Sequence, residues 1–203
     1  SCKRGPYVSG MFCVCKDLER DRLILDSRPP NILECKGSVW TNAMASASSL
    51  VDLCLQEDQV LVASGEDLKD FFYQFQTTPE RAMRNILSDP LSLEEAVEVF
   101  GPAFEWHEDP VWVGLSTLAM GDSNSCEFAQ CSHLSLCRRR KVFEDEELLS
   151  LRGHVPRGLL SVGIIIDDLV VLEKVLRSEF DAYKDGKMTL RSQERLERAL
   201  CAY

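Results

Sequence analysis

The stretch that most restricts this chain runs from Leu159 to Leu172, where an apolar, β-branched sequence is broken by Asp167 and Asp168. Val162 to Ile166 and Leu169 to Leu172 are short runs rich in side chains that suit a pleated surface. With two carboxylates between them, they predict two strands meeting at an acidic turn. Charge among apolar side chains is expensive: even a neutral polar group costs roughly 2 kcal/mol or more when buried unpaired. A hard divalent cation such as Mg²⁺, which takes carboxylate oxygens, would offset that cost. A second acidic position, Asp67, follows another β-prone run, Val60-Leu61-Val62-Ala63-Ser64-Gly65-Glu66. Carboxylates on neighbouring strands can hold two such ions about 3.5–4 Å apart, one activating a hydroxyl and one stabilising a leaving pyrophosphate. A plainer reading stays open: adjacent Asp residues often sit in exposed hairpin turns, and Asp67 suits a helix cap.

The remaining chain predicts a mixture of strands and helices, and so an α+β fold. Met11 to Lys16 and Arg22 to Leu25 read as a hairpin joined by the polar Asp17-Leu18-Glu19-Arg20-Asp21. Pro29-Pro30 stops regular structure. Helical spacing is expected over Met44 to Leu55, Pro79 to Leu87, Leu91 to Phe100, Ser123 to Arg138, Glu173 to Tyr183 and Ser192 to Tyr203. Ser92 followed by Glu95 has the form of a capping box. Gln59 to Ser64 and Val111 to Leu115 are expected strands. Trp106 and His107 either mark a pocket or are ordinary packed loop residues.

With 203 residues, 45% of them hydrophobic, the chain can bury one sizeable core, or a core with a smaller lobe. Its net charge of -10 counts against a broad nucleic-acid surface, because neutralising phosphates requires Lys and Arg. Local clusters matter more than the total. Arg138-Arg139-Arg140-Lys141 reads first as a solvated helix end favoured by the helix dipole, with a template contact as the other reading. The nine Cys match no paired zinc pattern with His107, His133 and His154, and are expected to be reduced thiols. Neither a signal peptide nor an apolar run of bilayer length is present, so an intracellular, non-secreted protein without a membrane partner is expected. Both ends read as cut.

Four motifs, taken in order, resemble those of the reverse transcriptases of retroviruses and retrotransposons. Arg22-Leu23-Ile24-Leu25-Asp26-Ser27-Arg28-Pro29-Pro30-Asn31 is similar to a fingers strand, R-x-x-x-D-x-R-x-x-N. Asp67-Leu68-Lys69-Asp70-Phe71-Phe72-Tyr73 is similar to the first palm motif, D-x-x-D-A-Y/F-F. The stretch from Leu118 to Gln130 resembles L-P-x-G-x-x-x-S-P-x-x-F-Q, and Ile165-Ile166-Asp167-Asp168-Leu169 resembles Y-x-D-D-L. Each motif alone is weak; their shared order from about Met11 to Leu172 gives the resemblance its force. The chain departs from the pattern at Ile165 (usually aromatic), Phe71 (usually small), Ala119 and Cys126 (usually Pro) and Ala129 (usually Phe).

The resemblance implies a fingers-like segment over 1–58, with its hairpin at 11–25. It implies a palm-like segment over 59–203, an antiparallel sheet with flanking helices, carrying inserted loops or helices at about 76–110 and 138–160. The thumb is expected to be absent. The implied activity is templated transfer of deoxynucleotides onto a primer 3′-hydroxyl with two Mg²⁺ ions, or Mn²⁺ in their place. Asp67, Asp167 and Asp168 would be the catalytic carboxylates, and the Leu68 carbonyl a further metal ligand. Lys16 and Arg22 would contact the triphosphate, through cationic heads suited to that task. Asp70, Phe71 and Phe72 would lie at the nucleotide, with Phe72 as a ring that blocks a 2′-hydroxyl. Met120, Gly121 and Gln130 would lie near nucleotide and template, while Asp26 and Arg28 would brace the fingers. The implied partners are an RNA or DNA template-primer and a deoxynucleoside triphosphate. Two other readings stay open: a catalytically inactive mobile-element remnant acting as a binding module, and an RNA-dependent RNA polymerase.

Overall fold

The computed structural model describes residues 8–35, 40–102 and 110–203, so Trp106 and His107 lie outside the described residues. In chain order the regular elements are β1 (Gly10–Cys15), β2 (Asp21–Asp26), α1 (Arg28–Asn31), β3 (Gln59–Asp67), α2 (Pro79–Ala82), α3 (Leu93–Phe100), α4 (Ser125–Arg139), β4 (Leu160–Ile165), β5 (Asp168–Leu176), α5 (Arg177–Lys184) and α6 (Arg191–Leu200). Helices combine with antiparallel sheets, so the fold is α+β. The chain forms two compact units, each drawn from two stretches: Ser1–Lys36 with Asp70–Cys126, and Gly37–Lys69 with Glu127–Tyr203. These units are not colinear with a division at residues 58 and 59. Among the described residues, no helix is long and apolar enough to cross a membrane.

The second unit is built on a three-stranded antiparallel sheet in the order β3-β5-β4. Side chains alternate across a strand, and the register puts Val162 opposite Val171 and Ile164 opposite Leu169 on one face. That face packs with Leu134 and Cys137 of α4, with Leu196 and Ala199 of α6, and with Val142 and Phe143 from the turn after α4. Fully burying a side chain of Val or Ile size contributes about 1.5–3 kcal/mol, so this cluster fixes both the sheet and its helices. The other face is close-packed at Gly163, where a Cβ would lie 2.8 Å from Cβ of Ala45. The Ala45 N–H donates to the Ile164 carbonyl and the Leu149 N–H to the Val162 carbonyl, which covers the outer edge of β4. Glu173 is buried on β5, and its carboxylate accepts from the Ser192 N–H at 2.8 Å in the first turn of α6. A negative group at a helix start satisfies an orphan N–H and suits the dipole.

The first unit carries the two-stranded β1–β2 hairpin, paired from Gly10–Asp26 to Cys15–Asp21. Nearly all of its residues are exposed apart from Leu25 and its neighbours. The capping box of α3 is present: Ser92 Oγ accepts from the Glu95 N–H, and the Glu95 carboxylate accepts from the Ser92 N–H. Arg28 grips Asp26 through its guanidinium and its own N–H. This holds the Asp26 carboxyl down to about 2.

Four expected elements differ. Met44 to Leu55 is not an α-helix but contains one short 3₁₀ turn, Ala47–Leu50, and another, Trp40–Ala43, precedes it. Ser46 there accepts from the Ser48 N–H, a local bond of the kind that competes with helix. Pro79 to Leu87 shortens to α2 plus one 3₁₀ turn, Met83–Asn85. Val111 to Leu115 makes isolated bridges, Leu91 to Val111 and Ile86 to Gly114, rather than a strand. Glu173 to Leu176 continues β5, and helix begins only at Arg177. Pairing of all four residues with β3, and of Glu173 with β4 as well, outweighs their helical spacing.

Candidate active site

Three of the predicted acidic residues gather at one end of the second unit's sheet. Asp67, the last residue of β3, pairs directly across from Asp168, the first of β5. Asp168 also pairs with Ile165, the last of β4, so Ile166 and Asp167 form a two-residue hairpin loop. The Leu68 N–H donates to the Asp167 carbonyl at 3.2 Å, tying the chain just beyond Asp67 to the loop. Directly opposed residues bring their Cβ atoms about 4.5–5.5 Å apart, and like charges there repel. The Asp168 carboxyl accordingly titrates above its ordinary value, raised first by partial burial and then by the charges of Asp167 and Asp67. Asp67 and Asp168 are exposed and Asp167 is half-buried. The carboxylates therefore stand at the rim of the sheet, and the expectation of charge enclosed among apolar side chains is corrected.

Among the described residues, no three His, Cys, Asp or Glu side chains converge as a preformed metal cage. The donor set still suits Mg²⁺, which usually takes one or two carboxylates and completes its shell with water and substrate phosphates. Asp67, Asp167 and Asp168 supply hard oxygens on adjacent backbone positions, and their mutual repulsion is what a cation relieves.

The loop is held by helix α4. Ile166 has φ 59°, in the left-handed region, at the first of the two loop residues. Gly is usual where such a hairpin loop needs positive φ, and a β-branched residue there carries strain on the order of 1–3 kcal/mol. Two wholly buried side chains of α4 oppose that strain. Gln130 Oε1 accepts from the Ile166 N–H at 2.6 Å, while its Nε2 donates to the Ile164 carbonyl at 3.1 Å. His133 Nδ1 donates to the Ile166 carbonyl at 2.8 Å. A carbonyl only accepts, so the proton is on Nδ1, and Nε2 accepts from the Tyr203 hydroxyl at 2.6 Å. Burial holds the His133 pKa below its usual value, against the pull of the Ile166 carbonyl and of Asp167 and Asp168. Gln130 was expected near nucleotide and template. With no exposed surface and both ends of its amide bonded to backbone, it acts here as a clamp on the acidic loop.

The other predicted residues lie in the first unit. Lys16 and Arg22 are exposed on the β1–β2 hairpin. Asp70 has φ 54° and starts the 3₁₀ turn Phe71–Gln74. Phe71 and Phe72 are both buried, and Phe71 meets Phe75 edge to face at 4.9 Å between centroids. Phe71 is therefore a core ring in this unit. Met120 is exposed. Gly121 sits hard against the Leu25 carbonyl, where a Cβ would collide with backbone.

Sequence reasoning gave no role to Asn31 within its motif. Its amide donates to the Gly121 carbonyl at 2.8 Å and accepts from the Ser123 N–H at 2.9 Å, docking the two motifs of this unit on each other. Arg81, Asp122, Glu34 and Arg84 form an ion-pair group beside it, with Arg81 Nη2 2.6 Å from Asp122. An R-x-x-N pattern ending a fingers-like strand was the available signal for Asn31, whereas Arg81 gave none.

A comparison with protein-family models finds no match, and neither does one with curated protein sequences. Solved structures do match. One is a crystal structure of prototype foamy virus protease-reverse transcriptase, a selenomethionine-labelled CSH mutant, with a TM-score of 0.51 at 13% identity over 98% of this chain. The fold is reverse-transcriptase-like. The chain spans 20% of the length of that viral protein, and at this identity the likeness concerns the fold alone.

Proposed function

We propose that this chain is the fingers and palm portion of a reverse-transcriptase-like polymerase core. The observation that carries the reading is the pairing of Asp67 with Asp168 across two strands, beside a hairpin loop that adds Asp167. Two divalent cations, Mg²⁺ or Mn²⁺, would supply hydroxyl activation and charge neutralisation at the leaving pyrophosphate. Asp67, Asp167, Asp168 and the Leu68 carbonyl would hold them. The chain's own contribution is placement of these oxygens on a rigid sheet end, which is the larger part of phosphoryl-transfer catalysis. Lys16, Arg22, Asp70, Phe72, Met120 and Gly121 are proposed nucleotide and template contacts on the strength of the motifs. A template-primer and deoxynucleoside triphosphates are the proposed partners, and an intracellular setting the proposed location.

The test is primer extension on a short RNA template with Mg²⁺ and each of the four deoxynucleotides, beside Asp167→Asn. Extension by the parent chain that vanishes in the variant supports the reading. No extension from protein shown to be folded by circular dichroism overturns it. A second reading, a folded binding module without catalysis, is favoured by Phe71, a buried ring packed on Phe75 where the motif usually has a small residue. Template-primer binding that is equally tight with and without Mg²⁺, and no incorporation, would select it. Preferential use of ribonucleotides would select the RNA polymerase reading.

A further inference from the structure

We infer that His133, oriented by Tyr203, is the positioning residue that sets the conformation of the Ile166–Asp167 loop, and through it the placement of Asp167 and Asp168. The catalytic consequence rests on the polymerase reading; the conformational one does not.

Ile166 is the hinge of the argument. Its left-handed φ leaves both of its backbone polar groups without strand partners, and each finds a buried side chain on α4. Residues 130 and 133 lie on the same helix face, one turn apart, so one rigid element grips the N–H and the C=O of a single strained residue. Gln130 is held from several sides, since it also donates to Ile164 and, at 3.5 Å, to the Ala43 carbonyl. An imidazole has only two nitrogens, and left alone could turn its unprotonated nitrogen toward the carbonyl. The Tyr203 hydroxyl removes that freedom. A phenol hydroxyl 2.6 Å from Nε2 donates to it, which leaves the proton on Nδ1, facing Ile166. The two rings meet edge to face at 5.4 Å, and the Cys137 sulfur lies 3.6 Å from the phenol oxygen, so Tyr203 has its own seat on α4. Asp167 follows Ile166 directly and Asp168 is the next residue, so rotation about Ile166 carries both carboxylates with it.

Three variants test this. His133→Leu removes both nitrogens, His133→Asn restores an N–H near the place of Nδ1, and Tyr203→Phe removes only the hydroxyl. Two readouts are taken: amide hydrogen exchange at residues 166–168 by NMR, and the split of kcat against KM for the deoxynucleotide in primer extension. The expected result for His133→Leu is exchange faster by about tenfold or more at these amides with the sheet centre unchanged. Its kcat should fall roughly 10- to 100-fold with little change in KM, since misplacement of reacting groups acts on turnover. His133→Asn should recover most of both losses, and Tyr203→Phe should fall between. If His133→Leu does not fold, Tyr203→Phe decides by the same readouts. Exchange at 166–168 unchanged in both His133→Leu and Tyr203→Phe, or His133→Asn no better than His133→Leu, overturns the inference. If the parent chain extends no primer while exchange responds as expected, the polymerase reading fails and the positioning role stands.

Discussion

The β1–β2 hairpin and the β4–β5 hairpin are made of strands of similar kind, yet their surroundings differ. In β1–β2 five of the six residues of the first strand are exposed, and a polar loop joins the strands with main-chain bonds from Lys16 and Asp17 to the Arg20 carbonyl. In β4–β5 most residues are buried, β5 has partners on both sides, and the loop is reduced to two residues gripped by α4. A lone two-stranded hairpin is marginally stable in water, so β1–β2 draws its stability from contacts around Leu25 and Gly121. The cationic candidates Lys16 and Arg22 are on the exposed hairpin, whereas Asp167 and Asp168 are on the buried one, with Asp67 across from Asp168 on β3. On the polymerase reading proposed above, the groups that need tight placement would be on the buried element and those that reach for a substrate on the exposed one.

This contrast can be broken or sharpened by experiment. The largest effect is expected from Asp167→Asn, which should lower primer-extension rate by about 10²–10³-fold, the scale of a lost charge-stabilising contact. Lys16→Ala should instead raise the deoxynucleotide KM and leave kcat nearly unchanged; equal effects of the two on kcat would erase the distinction. Next comes stability. Ile164→Ala, in the core of β4, should cost about 2–5 kcal/mol in urea unfolding, whereas Phe12→Ala on β1 should change stability by roughly 0.5 kcal/mol or less. Similar costs at both positions would show that β1 is covered in solution. Gly121→Ala should destabilise the first unit by about 1–3 kcal/mol, because the added methyl meets the Leu25 backbone.

The smallest effect concerns pH. The Asp168 pKa is raised in the folded state, so folding takes up protons, and this group's stabilising share is full below the ordinary carboxylate value. That share is lost as pH rises from 3.8 through the raised value. Asp168→Asn should therefore melt slightly higher than the parent at neutral pH, and the gap should close in acid. Added Mg²⁺ should narrow it at neutral pH, and a gap that ignores both acid and Mg²⁺ would remove the electrostatic explanation.

Much of the architecture was legible because local chemistry and tertiary context agree there. The two strands meeting at Asp167-Asp168, the first hairpin, the capping box at Ser92 and the long helix into Arg138 all lie close to where pattern predicted them. The disagreements fall where local signals compete. Ser46, Ser48 and Ser49 divert the 44–55 segment from helix, and Glu173 to Leu176 obey their pairing with β3. At the site, the acidic positions were readable because a charge interrupting apolar strands is conspicuous. The supports were not. His133 and Tyr203 are 70 residues apart in sequence, and nothing in either neighbourhood marks them as partners. The motif puts Gln130 near nucleotide and template, since a motif tells which residue recurs and not which way its amide points.

The grip of α4 on Ile166 has one more consequence, for the lengths of chain this region can accept. Side chains of a strand alternate between faces, so a shift by one residue would turn Val162 and Ile164 out of the core and move Asp168 away from Asp67. A two-residue loop has no slack, and Gln130 and His133 recognise Ile166 by its main-chain atoms, whatever its side chain. Position 166 should thus accept other amino acids, while residues 160–176 should reject the insertion or deletion of even one.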